Sequence, residues 1–150
     1  MMLSTKGRYA LRAMIDIAEH NTGEFITVKE IAKRQEISGK YLESILPMLK
    51  KAEFLEGLRG KGGGYKLTRP PESYTVGSII TLVEGPFVPV ACLESVPNKC
   101  HRAAECRTLP MWQQFQAMVV AFFEGITLAD LCNQKCNNVH LHDLNGKESH

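Results

Sequence analysis

The 150-residue chain has no cysteine before position 92, a single tryptophan, and no apolar run near the roughly 18 residues a membrane helix needs. Lys6, Arg8 and Arg12 lie near its start, yet no uninterrupted apolar stretch follows them, so neither a secretion signal nor a membrane span is expected. The chain reads as soluble and cytoplasmic. No Cys-x-x-Cys pair occurs, which argues against zinc ribbons, zinc fingers and thioredoxin-like redox pairs. Its glycine run lacks both the Gly-Lys-Ser/Thr ending of a phosphate-binding loop and the spacing of a dinucleotide fingerprint. No acid/base constellation points to an enzyme. A small metal-dependent redox protein or electron carrier is the weakest of the readings kept open.

What is present divides in two. Residues 1–72 hold 13 Lys/Arg against 9 Asp/Glu, hence +4, and residues 73–150 hold 5 against 7, hence −2. The first part is the one phosphates would prefer. All five cysteines, Cys92, Cys100, Cys106, Cys132 and Cys136, fall in the second part. An odd number of thiols in a chain without an export signal argues against a disulfide scaffold. With 44% hydrophobic residues, the length suits one compact core with a smaller module attached.

Ser4 is placed to cap a first helix, with Leu11, Met14, Ile15 and Ala18 at helical spacing. Thr27 and Glu30 match a capping box before a short helix to about Arg34. Ser38 caps a third helix striped by Leu42, Ile45, Leu46 and Leu49, with Pro47 inside it, where a local bend is expected. Strands over Phe54 to Arg59 and Tyr65 to Thr68 flank a loop from Gly60 to Gly64, and Pro70-Pro71 ends the module. Two short helices about a turn followed by such a hairpin make a winged helix-turn-helix. Val76 to Val83 form a further helix stopped by Gly85-Pro86, an irregular segment runs to Leu109, and a long helix runs from Pro110 through Phe123. Thr127 and Asp130 open a last short helix, and residues 135–150 are expected to fray. The fold class is mainly α with a small β wing. Residues 1–72 form the winged helix-turn-helix, and residues 73–134 form a cysteine loop with dimerisation helices.

The start of the third helix offers Lys40, Tyr41, Glu43 and Ser44 to a major groove, where Lys40 and Tyr41 suit phosphates and Glu43 suits a cytosine amino group. Arg59 and Lys61 flank the glycine tip and can reach a phosphate or a narrow minor groove. Cys92, Cys100 and Cys106 lie on an irregular loop among Lys99, His101, Arg102, Glu105 and Arg107. Charged neighbours argue against three buried apolar fillers, and such a loop can supply three thiolates to an iron–sulfur core. Cys132, Cys136, His140 and His142 could hold a metal only if helix continued; incidental surface positions are the better reading.

Ser4-Thr5-Lys6-Gly7-Arg8-Tyr9-Ala10-Leu11, Tyr41-Leu42-Glu43, Arg59-Gly60-Lys61-Gly62-Gly63-Gly64-Tyr65 and Ile126-Thr127-Leu128-Ala129-Asp130-Leu131 together resemble the Rrf2 family of winged-helix regulators, its IscR-like members above all. That resemblance implies a homodimer on double-stranded DNA with a two-fold operator. The long helix, with Met111, Phe115, Met118, Val119 and Phe122, would pair with its twin. It implies that Glu43 and Arg59 help read DNA, and that Cys92, Cys100 and Cys106 ligate a 2Fe–2S cluster sensing iron–sulfur, redox or nitric oxide status. A 4Fe–4S form occurs elsewhere in the family. Leu109 stands where IscR-like members carry a fourth-ligand histidine, leaving His101, Glu105 or a residue of the partner subunit as candidates. The segment from Val83 to Val90 is closer to CymR, a family member without a cluster, so control by thiol chemistry or a partner protein is the alternative.

Overall fold

The computed structural model describes residues 3–133. Its elements run α1 (Thr5–Glu19), α2 (Val28–Gln35), α3 (Gly39–Lys51), β1 (Leu55–Leu58), β2 (Gly64–Leu67), α4 (Val76–Glu84), α5 (Leu109–Glu124) and α6 (Leu128–Cys132), with single 3-10 turns at Pro71–Ser73 and Ala91–Leu93. The mainly helical fold with one small antiparallel hairpin is the class expected. No helix among the described residues is long and apolar enough to cross a membrane. Cys136, His140, His142 and the tail of residues 135–150 lie outside the described residues.

Local chemistry sets the helix starts. Ser38 Oγ accepts from the Tyr41 amide at 3.1 Å, and Thr27 and Glu30 close the expected capping box. The α1 stripe differs from the expectation. The helix buries Ala10, Ala13, Met14, Asp16 and Ile17, while Leu11, Ile15 and Ala18 are only half-buried. Helix α1 is flanked by α2, α3, α4, α6 and β2, and alanines on its inner face let those neighbours approach closely. Helix α3 runs unbroken through Pro47, whose ring faces solvent.

Asp16 is the one buried charged residue among those described. Arg34 grips it with Nε at 2.9 Å and Nη2 at 2.8 Å, and Gln35 adds an amide donor at 3.0 Å, so the pair ties α1 to α2. Burial alone would raise this carboxyl's pKa. The hydrogen bonds from Arg34 and Gln35 and the Arg34 charge outweigh that effect and hold it below the ordinary value.

The hairpin is shorter than expected. Phe54, Arg59 and Thr68 fall outside the strands, and Gly64 belongs to β2 rather than to the loop. Leu55 pairs with Leu67 and Leu58 with Gly64. A third segment supports it: Ile26 exchanges backbone hydrogen bonds with Tyr65 at 2.9 and 2.8 Å. Gly64 sits at φ +151°, and a Cβ there would collide with the Ile26 carbonyl. Below the hairpin, the buried Tyr74 hydroxyl donates to the Phe54 carbonyl at 2.8 Å and accepts from the Thr68 and Arg69 amides, each at 3.1 Å.

Ile79 and Val83 of α4 enter the same core as α1 and α3. The α6 start is stitched to the α4 start by Val76 N to Ile126 O at 2.8 Å and Leu128 N to Tyr74 O at 2.9 Å.

Candidate DNA interface and cysteine loop

The turn between α2 and α3 uses Glu36 in the left-handed region, φ 54°, and thereby aims the start of α3 outward. Lys40, Glu43 and Ser44 are exposed there. Tyr41 is half-buried, its ring edge-on to Tyr9 at 5.1 Å, so it braces α3 against α1 rather than standing free as expected. The Ser44 hydroxyl donates to the Tyr41 carbonyl at 2.6 Å. At the wing, Arg59 and Lys61 are exposed on either side of Gly60, and the Gly63 amide closes the tip on the Gly60 carbonyl at 3.0 Å.

Tyr65, half-buried on β2 and bridged to Ile26, is a residue to which the sequence gives no role. Burial pushes its phenol pKa up, Arg59 opposes the rise and Glu43 adds to it, so the side chain lies within electrostatic reach of both α3 and wing. A tyrosine following a glycine run carries no local signal of this position, which depends on the Ile26 bridge. Lys66 stacks over Phe25 at 4.6 Å and pairs with Glu56 at 3.7 Å, while Arg69 lies over Tyr74 at 4.6 Å. These cations brace the hairpin base.

The three loop cysteines occupy one irregular connection between α4 and α5. Cys92 and Cys106 are half-buried and Cys100 is exposed. The Cys100 carbonyl and amide are both held locally, by Ala103 N at 3.1 Å and Asn98 Oδ1 at 2.8 Å. Cys106 Sγ lies 3.4 Å from the Thr108 hydroxyl. That hydroxyl and the Thr108 amide, aided by the Leu109 amide and the Arg102 charge, lower the Cys106 thiol pKa. In chemistry, three accessible thiols with one acidified fit thiolate ligation. In placement, no three Cys, His, Asp or Glu side chains among the described residues are gathered closely enough to hold a metal. Leu109 is buried at the start of α5. Cys132 is half-buried, and burial followed by the Glu19 charge pushes its thiol pKa up.

On α5, Met111, Phe115, Met118 and Phe122 are exposed, whereas Val119 is half-buried. Val120, absent from the expected stripe, is exposed at 44%.

A capped helix pair about a tight turn, followed by a glycine-tipped hairpin, defines a winged helix-turn-helix regulator. The chain belongs to the Rrf2 family: the family model described as "Iron-dependent Transcriptional regulator" matches residues 3–134. The IscR transcriptional regulator of Sodalis glossinidius is 36% identical over 90% of this chain and 81% of its own length. Among solved structures, CymR, the global cysteine regulator of B. subtilis, is similar at TM-score 0.74 and 33% identity, covering 89% of this chain and 98% of that one. IscR of T. potens is similar at TM-score 0.71 and 31% identity, covering 93% and 92%. The protein is a DNA-binding transcriptional regulator of IscR/CymR type, not an enzyme.

Proposed function

We propose that this regulator acts in the cytoplasm as a homodimer on a two-fold operator, reading it with α3 and the wing and responding through Cys92, Cys100 and Cys106. The observation that supports the DNA part is the shared exposure of Lys40, Glu43 and Ser44 on α3 and of Arg59 and Lys61 at the wing tip. Lys40, Arg59 and Lys61 neutralise phosphates. Glu43, at the groove end of α3, accepts from a base amino group.

Cys92, Cys100 and Cys106 would hold an iron–sulfur cluster, of the 2Fe–2S type by family likeness. Such a group supplies a centre whose charge changes with redox state and which reacts with nitric oxide. The acidified Cys106 supports thiolate ligation, and His101 and Glu105, exposed on the same loop, are candidate fourth ligands. A second reading, control by the thiols themselves or by a protein partner, is favoured by the scattered placement of the three sulfurs and by the likeness to CymR.

Anaerobic purification followed by iron and acid-labile sulfide analysis separates the two. A coloured protein that loses its chromophore on replacing Cys92, Cys100 or Cys106, but not Cys132, supports the cluster. A colourless, metal-free protein that binds its operator supports thiol control. For DNA reading, Arg59→Ala weakens binding to all sequences, and Glu43→Ala relaxes preference at one position by roughly 1–3 kcal/mol. Unchanged affinity and selectivity in both variants rejects the assignment.

A further inference from the structure

Five helices open with a Ser or Thr cap bonded through its side chain; α3, with Gly39 in its first turn and nothing near that glycine, has Ser38 alone, and the surroundings of the other four fall into two kinds. In α2 and α6 the third residue is Glu30 or Asp130, and that residue's own carboxylate closes a capping box. Helices α1 and α4 have no acidic residue in their first turns, and each carries a glycine there instead, Gly7 and Gly77. Each receives a carboxylate from the far end of another helix. Glu84, the last residue of α4, accepts from the Ser4 amide at 2.7 Å and the Gly7 amide at 3.2 Å, and also from the Ser4 hydroxyl. Glu124, the last residue of α5, accepts from the Thr75 hydroxyl at 2.9 Å and lies over Gly77.

Both glycines make room for these carboxylates. A Cβ on Gly7 would stand 2.7 Å from the Glu84 carboxyl, and one on Gly77 would collide with Glu124. Glycine in a first turn gives up helix propensity, and the close approach of an anion to a helix N-terminus is what it permits. The contacts form a series. Helix α5 ends on the start of α4, α4 ends on the start of α1, and Tyr9 of α1 braces Tyr41 of α3.

We propose that Glu124 and Glu84 are positioning residues that carry the attitude of α5, which follows the cysteine loop, through α4 to α1 and the DNA-reading helix. The proposal rests on the reading of α3 and the wing as the DNA-contacting surface. Displacing α5 withdraws the carboxylate that holds the Thr75 cap hydroxyl and lies over Gly77, the α4 end shifts, and the α1 start loses its anion in turn. Neither glutamate contacts DNA in this scheme.

The test uses the full chain, wild type and the variants Glu124→Gln, Glu84→Gln and the double variant. The probe is the tightest duplex the wild type selects from a randomised pool. Hydrogen exchange and duplex affinity are measured on each. Glutamine keeps an acceptor but loses the charge. In Glu124→Gln, exchange is expected to rise at least threefold at the first-turn amides of α4 and also at those of α1, which Glu124 does not touch. Affinity is expected to fall severalfold in each single variant, and the double variant to match the weaker single, because a series broken once is already broken. Exchange confined to the α4 start, or single effects that multiply in the double variant, overturns the relay and leaves two independent caps. Gly77→Ala, which displaces Glu124 without altering its charge, should reproduce the Glu124→Gln pattern and serves if that variant folds poorly. A wild type that selects no duplex overturns the DNA reading instead.

Discussion

The Asp16 carboxylate ties α1 to α2 from inside the core, while Arg12 bonds Gln35 nearer the surface. Asp16 is wholly buried, and it is stable there only because Arg34 and Gln35 satisfy both of its oxygens. Removing one partner from a fully buried ion pair costs about 3–5 kcal/mol, since the other charge is stranded. Arg34 keeps a third of its side chain in solvent and can be rehydrated, so Asp16→Asn should cost less, about 2 kcal/mol. The carboxyl's pKa is lowered in the folded state, so its stabilising effect is complete above the unfolded value of about 4. It fades as pH falls below that toward the lower folded value. Thermal unfolding at pH 7 and pH 3 checks this: the gap between wild type and Asp16→Asn should be wide at pH 7 and narrower at pH 3. Equal gaps would show that the native carboxyl is not held ionised by Arg34. Nothing local in the sequence marks Asp16, which lies outside the stripe of Leu11, Met14, Ile15 and Ala18 by which the first helix is expected to pack. Its partners come from a different helix.

A two-stranded hairpin alone is marginal in water, so the wing depends on what holds its base. Two attachments do this, the Ile26 bridge to Tyr65 and the Tyr74 hydroxyl beneath Phe54, Thr68 and Arg69. Gly64→Ala forces a Cβ onto the Ile26 carbonyl at a φ that only glycine adopts readily. It should destabilise the protein by about 2 kcal/mol or more and weaken DNA binding beyond the loss of Lys61→Ala. Chemical denaturation and duplex titration read the two effects, and a Gly64→Ala protein with native stability would rule out the tight junction. Tyr74→Phe removes the acceptor of the part-buried Thr68 and Arg69 amides and one of two donors to the Phe54 carbonyl, and should cost about 1–3 kcal/mol by the same denaturation measurement. The contrast with the helix starts explains what the sequence made legible. Caps at Ser4, Thr27, Ser38 and Thr127 act over three residues, so each helix announced its own beginning. Gly64 reads as one more loop glycine because the atom it avoids belongs to Ile26, and Glu84 and Glu124 read as ordinary helix ends because the groups they accept from, the Ser4 and Gly7 amides and the Thr75 hydroxyl, are distant in the chain. The cysteine segment was legible as irregular, and its thiols as ligand types. Where they sit relative to one another depends on the packing of a loop that has no repeating pattern.

At the scale of the molecule, α5 is the element whose apolar surface the fold leaves uncovered. Met111, Phe115, Met118, Val120 and Phe122 are each between 42% and 51% exposed. The first, second, third and fifth recur at four-, three- and four-residue intervals, which places them along one face of the helix. These four half-exposed large side chains on one face of a sixteen-residue helix form a patch of the kind that protein partners cover. A second copy, as proposed above, would also place two reading surfaces on a two-fold operator, and a self-complementary helix pair is the simplest such contact. Phe115 packs edge-on against Phe87 at 5.9 Å and Trp112 at 6.4 Å, so replacing it would disturb the protomer as well as the interface. Met111 and Met118 are the cleaner probes. Covering one such side chain contributes on the order of 1–2 kcal/mol, and each Met occurs twice across a two-fold contact. A glutamate in its place must also be desolvated opposite its own twin, so Met118→Glu should weaken self-association by 100-fold or more. Sedimentation velocity over micromolar concentrations should show wild-type dimers and Met118→Glu monomers with unchanged far-UV circular dichroism. The monomer should lose most affinity for a two-fold duplex while binding an isolated half-site as the wild-type protomer does. A variant that stays dimeric, or that binds the two-fold duplex undiminished as a monomer, removes α5 from the interface and requires another face to bring two reading surfaces together.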